Sequence, residues 1–307
     1  MVICVVGGAG FLGRRVIRKL LSRGHDVVCM DIAGLQLDVP GSQFRSIRVD
    51  VCDFESVLSS FLTYRPEIVI HLGFLVGDYS PRQAMRVNVL GSDNCFEAAH
   101  LAGVDRVLFS SSIAVNGGQR HYGHRPVVED DAFVAETQYA VHKVFNEWQA
   151  KEYREKHGMT ITAIRPANIS GVDKILGSVD HVACIVNPAK GISARFKYRD
   201  QMRCIVYGDD IAELFTRVAE KRRPAFSVYN SGGETLSLGQ LADMVKKYIP
   251  DADIAFDHET GSEENQKGAV AYVYDRTRIW EEFGVDYPPF EQRLGQMIEM
   301  IRLDTVT

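Results

Sequence analysis

Short unbroken apolar runs alternate along this chain with longer stretches whose apolar residues recur every three or four positions. That is the pattern of buried strands alternating with amphipathic helices. It predicts strands at 2–6, 26–30, 44–49, 66–72, 106–110 and 160–165, and helices at 14–22, 54–64, 81–102 and 139–157. Strands that are apolar on both faces belong in a parallel sheet covered by helices on each side, with right-handed connections. The expected fold class is therefore α/β, a doubly wound parallel sheet. After residue 168 the pattern loosens. Residues 171–200 carry glycine, proline and mixed charge, and no element is assigned there. A strand or turn followed by a helix resumes over 205–219, 226–230 reads as one more strand of the main sheet, and 236–248, 275–283 and 290–302 read as helices. Residues 1–167 and 201–230 are accordingly expected to form the sheet domain, and 168–200 and 231–307 a smaller C-terminal substrate-binding domain.

The first strand runs into Gly7-Gly8-Ala9-Gly10-Phe11-Leu12-Gly13 and then into a helix. Glycines at 8, 10 and 13 fit the dinucleotide fingerprint, and those at 7, 10 and 13 fit it at the alternative spacing. They permit the turn, let the backbone approach a pyrophosphate and let the helix sit close to the strand. The helix N-terminus then offers unpaired N–H groups to phosphate oxygens. Asp31 follows Gly13 by 18 residues, at the end of the next apolar run. A carboxylate there accepts hydrogen bonds from an adenosine ribose and repels a 2′-phosphate, which selects NAD over NADP. Arg14 and Arg15 admit the other reading, a phosphate contact, or simply a solvent-facing helix start.

Composition narrows the class. Hydrophobic content of 46%, charge of 24% and a net charge of −5 are those of an ordinary globular chain without a nucleic-acid surface. No apolar run is long enough for a bilayer. The six cysteines are scattered without CxxC spacing and read as reduced thiols, so a cytoplasmic location is expected. His121-x-x-His124 is the one close histidine pair and has no cysteine nearby, so no metal site is expected.

A second constellation is Ser110-Ser111-Ser112 after a strand, with Tyr139 and Lys143 downstream. Four residues apart on a helix, Tyr139 and Lys143 share a face. A cation beside a phenol favours the phenolate, which makes a usable base near neutral pH. A serine hydroxyl aimed at the same place holds a carbinol or carbonyl oxygen. Next to a nicotinamide ring such a set moves a proton while a hydride leaves the adjoining carbon.

With these residues in view, the chain resembles an extended short-chain dehydrogenase/reductase of the NAD-dependent epimerase/dehydratase family, closely over 2–212 and loosely beyond. The matching motifs are the glycine loop, Asp50-Val51-Cys52-Asp53, His71-Leu72-Gly73-Phe74, Asn88-Val89-Leu90-Gly91, residues 110–117, Tyr139 to Lys143, Arg165-Pro166-Ala167-Asn168 and Tyr207-Gly208-Asp209-Asp210-Ile211-Ala212. The resemblance implies a Rossmann-type sheet binding NAD through Gly7, Gly10, Phe11, Leu12, Gly13 and Asp31. It implies adenine contacts from Asp50 and Val51, and cofactor contacts from Leu72, Gly73, Phe74, Asn88, Ser110, Tyr139, Lys143 and Pro166. Ser112 then orients the substrate oxygen, Tyr139 is the acid/base, Lys143 also holds the nicotinamide ribose, and Asn168 faces the substrate. Plainer readings stand beside these: Asp50 as a strand-end cap, His71 as a satisfied strand histidine, Asn88 as a helix hydrogen-bonder. The resemblance also implies a homodimer through a four-helix bundle built from helices near 81–102 and 139–157, for which Val141, Val144, Phe145 and Trp148 supply an apolar face.

Departures from the family pattern bear on the reaction. Dehydratases resembling this chain carry an Asp-Glu pair after the serine, where Ile113 and Ala114 stand, so elimination of water is not expected. Asn116 replaces a common tyrosine. Nucleotide-sugar members clamp the diphosphate with two arginines, whose planar forks suit phosphate oxygens. Arg203 fits the first. The second is expected in 259–271, which has no arginine and holds Glu259, Glu263 and Glu264; Arg276 or Arg278 would substitute only with a rearranged loop. The sequence thus reads as an NAD-dependent dehydrogenase of a secondary alcohol on a sugar-, sugar-acid- or polyol-like molecule. The alternative is a nucleotide-sugar epimerase, similar to UDP-glucose 4-epimerase, that retains its NAD; a non-catalytic NAD-binding regulator is the third possibility weighed.

Overall fold

The structure, a computed structural model, describes residues 1–37, 41–261 and 270–304. In chain order its strands are β1 (Val2–Val6), β2 (Asp26–Asp31), β3 (Phe44–Arg48), β4 (Ile68–His71), β5 (Arg106–Ser110), β6 (Thr160–Pro166), β7 (Asn168–Ser170), β8 (Ala194–Tyr198), β9 (Met202–Tyr207), β10 (Val228–Gly232), β11 (Glu234–Ser237) and β12 (Ile254–His258). The helices are α1 (Phe11–Ser22), α2 (Phe54–Tyr64), α3 (Pro81–Met85), α4 (Gly91–Leu101), α5 (Gln138–His157), α6 (Asp180–Ala189), α7 (Gly208–Glu220), α8 (Leu238–Tyr248), α9 (Thr277–Phe283) and α10 (Phe290–Asp304).

Seven strands pair in parallel in the order β10-β6-β5-β4-β1-β2-β3. Their continuous apolar runs are explained by two cores. Ile3 and Val5 of β1, with Val27 and Cys29 of β2, face a cluster that includes Val16, Leu20, Leu214 and Phe215 of α1 and α7. Cys4, Val6, Val28 and Met30 face the opposite cluster, with Val57, Phe61, Phe96 and Ala150 of α2, α4 and α5. The chain reverses direction across the sheet between β1 and β4, and it is at the carboxyl end of such a reversal that an open α/β sheet offers a ligand crevice. The edge strand β3 exposes Arg45, Ser46 and Arg48 beside half-buried Phe44 and Ile47, and charge on an edge discourages further strand pairing.

A third core lies outside the sheet, where α6, α8 and α10 pack on Ile205, Tyr207 and Leu236. Here β11, β9 and β7 make a small mixed sheet, and β12 pairs with β8. Thus β9 departs from the main sheet, while α7 directly after it returns to pack against α1. The unassigned stretch 171–200 contains α6, which carries Pro188, and β8, whose partner β12 lies far along the chain. Pairing at that distance leaves little local signal.

The single long helix expected over 81–102 is interrupted. Residues Arg86–Leu90 form a π-helical turn between α3 and α4. It turns buried Asn88 toward the loop after β4, and Gly91 follows because a Cβ there would come within 2.6 Å of Val51 Cγ2. Such turns cluster at functional sites.

Candidate active site

The glycine loop joins β1 to α1. Gly7 adopts φ +76°, and a Cβ on it would lie 2.5 Å from the Gly73 nitrogen; one on Gly13 would lie 2.4 Å from the Gly7 carbonyl oxygen. Gly10 has only the Gly7 oxygen nearby, at 3.2 Å, and opens onto a cavity of about 680 Å³. No side chain caps the α1 N-terminus and no acidic residue lies in its first turn, so its amides are available to an anion. A bare glycine cradle and an uncapped helix start fit the pyrophosphate of NAD. Asp31 Oδ2 accepts from the Ala9 amide at 3.0 Å and Oδ1 from the Ala33 amide at 3.0 Å, which places its carboxylate against the same loop. Arg14 and Arg15 have another employment: both bind Asp173, and the Arg15 guanidinium lies 4.0 Å from the Phe11 ring centre.

Gly7, Gly10, Phe11, Leu12 and Gly13 line the cavity, together with Leu72 and Phe74 from the segment at the end of β4. Ser110, Ser112, Tyr139, Lys143, Pro166 and Asn168 line it as well. The structure therefore brings together most of the residues singled out in the sequence. Asp31, Asp50, Val51, Gly73, Asn88 and Arg203 are not among the lining residues. Asp50 is exposed, and its Oδ1 caps a turn by accepting from the Cys52 amide at 2.9 Å. Asn88 grips the backbone of Leu75 in both directions, accepting from its amide at 2.7 Å and donating to its carbonyl at 3.1 Å. His71 Nε2 meets Ser92 Oγ at 3.0 Å, and burial brings the imidazole down to about 3, so it is neutral.

Helix α5 delivers the reacting pair. Thr137 Oγ1 caps it by accepting from the Ala140 amide at 3.2 Å, which sets Tyr139 in the first turn and Lys143 one turn on. Ser112 Oγ accepts from the Ala114 amide at 3.1 Å and also hydrogen-bonds with Tyr139. Lys143 Nζ donates to the Ser110 carbonyl at 2.6 Å and stands 3.4 Å from the Phe74 ring centre and 5.8 Å from that of Tyr139. The four-residue spacing predicts that the ammonium lowers the tyrosine. Here burial pushes the Tyr139 phenol up, and it is hydrogen bonding with Ser112 that pulls the other way. Lys143 is itself brought down to about 7 by burial, opposed by the charge of Glu147.

The substrate-side wall is formed by residues left unassigned in the sequence. Lys174 lies in the loop after β7, donates to the Ile169 and Ser178 carbonyls at 2.7 and 2.8 Å, and is brought down to about 8 by burial. Its only sequence signal is a lysine within a glycine-bounded loop. Arg203 is turned away: it pairs with Asp180 at the start of α6 and donates to the Met202 carbonyl at 2.8 Å. Neither Arg276 nor Arg278 lines the cavity; Arg276 sits over the Tyr287 ring, and Arg278 pairs with Glu129 and Asp130. Glu263 and Glu264 lie outside the described residues, while Glu259 stands 3.7 Å from Arg199. Among the described residues no group of three or more His, Cys, Asp and Glu is placed to hold a metal ion. Nor is any helix among them long and apolar enough to cross a membrane.

Known proteins place this geometry in context. Residues 3–232 match the NAD dependent epimerase/dehydratase family. UDP-glucose 4-epimerase of Mycolicibacterium smegmatis is 30% identical over 231 residues, covering 69% of this chain and 71% of that protein. The human dTDP-D-glucose 4,6-dehydratase is 25% identical over 296 residues, covering 89% of this chain and 79% of its own length. The Thermus thermophilus UDP-glucose 4-epimerase, solved as a complex with NAD, shares the fold with a TM-score of 0.85 at 22% identity, over 98% of this chain and 99% of its own. The chain belongs to the NAD-dependent epimerase/dehydratase family of extended short-chain dehydrogenases/reductases and is an NAD-dependent enzyme of that family.

Proposed function

We propose that the protein is a nucleotide-sugar epimerase, inverting a secondary carbinol of a UDP-sugar with an NAD that it does not release. The observation that carries this reading is that Ser112, Tyr139 and Lys143 line the same cavity as the glycine loop. When bound, NAD takes up the hydride and returns it. Ser112, hydrogen-bonded with Tyr139, turns its hydroxyl proton to the substrate oxygen when substrate binds. Tyr139 removes the proton from that oxygen as the carbinol becomes a ketone and gives it back after the ketone has presented its other face. Lys143, one helical turn away, favours the phenolate by its charge. Ile113 and Ala114 stand at the cavity wall where a dehydratase would need proton-transferring groups, which supports inversion over elimination.

The dehydrogenase reading rests on the missing second arginine. The likeness to a UDP-glucose 4-epimerase at 30% identity supports the epimerase instead. One observation keeps a dehydrogenase of a compact polyol or sugar acid as the second reading: Arg203 is neutralised by Asp180 rather than turned to the cavity. The purified protein distinguishes them. The epimerase is expected to carry NAD(H) through gel filtration and to interconvert UDP-glucose and UDP-galactose without net NADH. Nucleotide-free protein that accumulates NADH from an alcohol would overturn it.

A homodimer belongs to the same proposal. Val141, Phe145 and Trp148 of α5, with Leu101 of α4, are exposed apolar residues on two helices packed side by side. A second copy of the same face is the partner this pattern suits.

A further inference from the structure

Three consecutive serines end β5, and each is engaged by a different residue of one face of α5. Ser112 meets Tyr139, the Ser110 carbonyl accepts from Lys143, and Ser111 Oγ donates to Glu147. Tyr139, Lys143 and Glu147 follow one another at four-residue intervals, so the helix and the serine turn are zipped together in a single register. Like Lys143 and Ser111, Glu147 is buried. Arg165 at the end of β6 grips it with two bonds, Nε to Oε1 at 2.8 Å and Nη2 to Oε2 at 2.7 Å. The two side chains are only 2% and 4% exposed. Arg165 is anchored in turn to the Glu129 carbonyl at 3.0 Å.

We infer that Glu147 is a positioning residue for the reacting set: held by Arg165, it fixes the serine turn against α5 through Ser111 and places a buried carboxylate one helical turn from Lys143. This rests on the proposed chemistry of Tyr139 and Lys143. Among the described residues, the groups facing Lys143 include one carboxylate that raises it, Glu147. On its own helix these are Tyr139, a buried neutral phenol, and Glu147. From β4 comes His71, held neutral by burial; from the loop after it, the Phe74 ring; and from β5, the Ser110 carbonyl. Arg165, from β6, is positive and bound to Glu147, so it offers the ammonium no support. A buried ammonium without an opposing charge loses its proton more readily.

Lys143 Nζ can be followed by its ¹⁵N resonance in the full chain labelled with ¹⁵N-lysine, assigned by Lys143→Arg, while kcat and KM are measured in parallel. Glu147→Gln is expected to lower the Lys143 titration midpoint by on the order of one pH unit and to move the alkaline fall of kcat the same way. Glu147→Gln leaves a buried guanidinium unpaired, so the Glu147→Met/Arg165→Met pair is the second variant, and it is expected to shift Lys143 in the same direction. Ser111→Ala keeps the charge, so it is expected to leave the Lys143 midpoint in place while lowering kcat about tenfold with KM little changed. An unshifted Lys143 in both Glu147 variants, or an unchanged kcat in Ser111→Ala, would overturn the inference. The Lys143 titration needs no turnover, so an absence of UDP-sugar epimerisation would sink the proposed function without deciding this point.

Discussion

The phenol of Tyr139 is subject to two opposed influences, burial against it as a base and the Ser112 hydrogen bond in its favour. In the proposed mechanism the Lys143 charge adds to that hydrogen bond, so activity near neutral pH is expected to follow the charge state of Lys143. Burial lowers Lys143 to about 7, so its cation is present below that pH and is lost as pH rises through it. In the free enzyme kcat/KM is accordingly expected to fall on the alkaline side near that value, and a pH profile checks it. Tyr139→Phe keeps the ring against Phe74, 5.4 Å between centres, and removes only the hydroxyl. Bound NAD is expected to stay while kcat drops by ~10²–10⁴-fold, as for loss of a general acid/base; normal turnover in that variant would remove Tyr139 from the mechanism. At this scale the spacing of Tyr139 and Lys143 and the serine cluster at a strand end were legible in the sequence, while Ser112 was singled out within that cluster only by the family resemblance. The roles of Ser111 and Glu147 were not legible, since nothing in the order of residues reveals that Arg165 comes to the same buried point from β6.

At the scale of elements, α1 and α5 do most of the positioning. α1 depends on three backbones meeting, and Gly13 is where they meet most closely: a Cβ there would also lie 2.6 Å from the Gly8 Cα. Gly13→Ala is expected to destabilise the fold by about 1–3 kcal/mol, as overpacking does, and to weaken NAD retention; thermal unfolding and the bound-nucleotide content measure both. The expected helix over 81–102 shows where periodicity fails. Its apolar spacing continues smoothly through the π-helical turn, but the turn is set by contacts the pattern does not contain, Asn88 with Leu75 and Gly91 with Val51. The helix expected over 236–248 forms as α8, whose start is fixed locally: Ser237 and Gln240 make a capping box within one turn.

In the whole molecule, the exposed apolar residues Val141, Phe145 and Trp148 lie on the far side of α5 from the cavity residues of the same helix, so the proposed dimer would be tied to the site by one element. Of these, Trp148 is 52% exposed. Trp148→Asp is expected to give a monomer by light scattering with the unfolding temperature of the isolated chain little altered; a persisting dimer would place the interface elsewhere. The larger division of the chain follows from which contacts are local. The two-faced apolar strands, the glycine loop and the i,i+4 pair were determined by the sequence itself, because strand alternation, turn sterics and helical spacing act over a few residues. Where β9 pairs, how α6 and β8 form within 171–200, why Arg203 turns to Asp180 and how Glu147 joins Ser111 to Arg165 were decided only in the tertiary structure. Each depends on partners that come from distant parts of the chain and become neighbours only when the cores close.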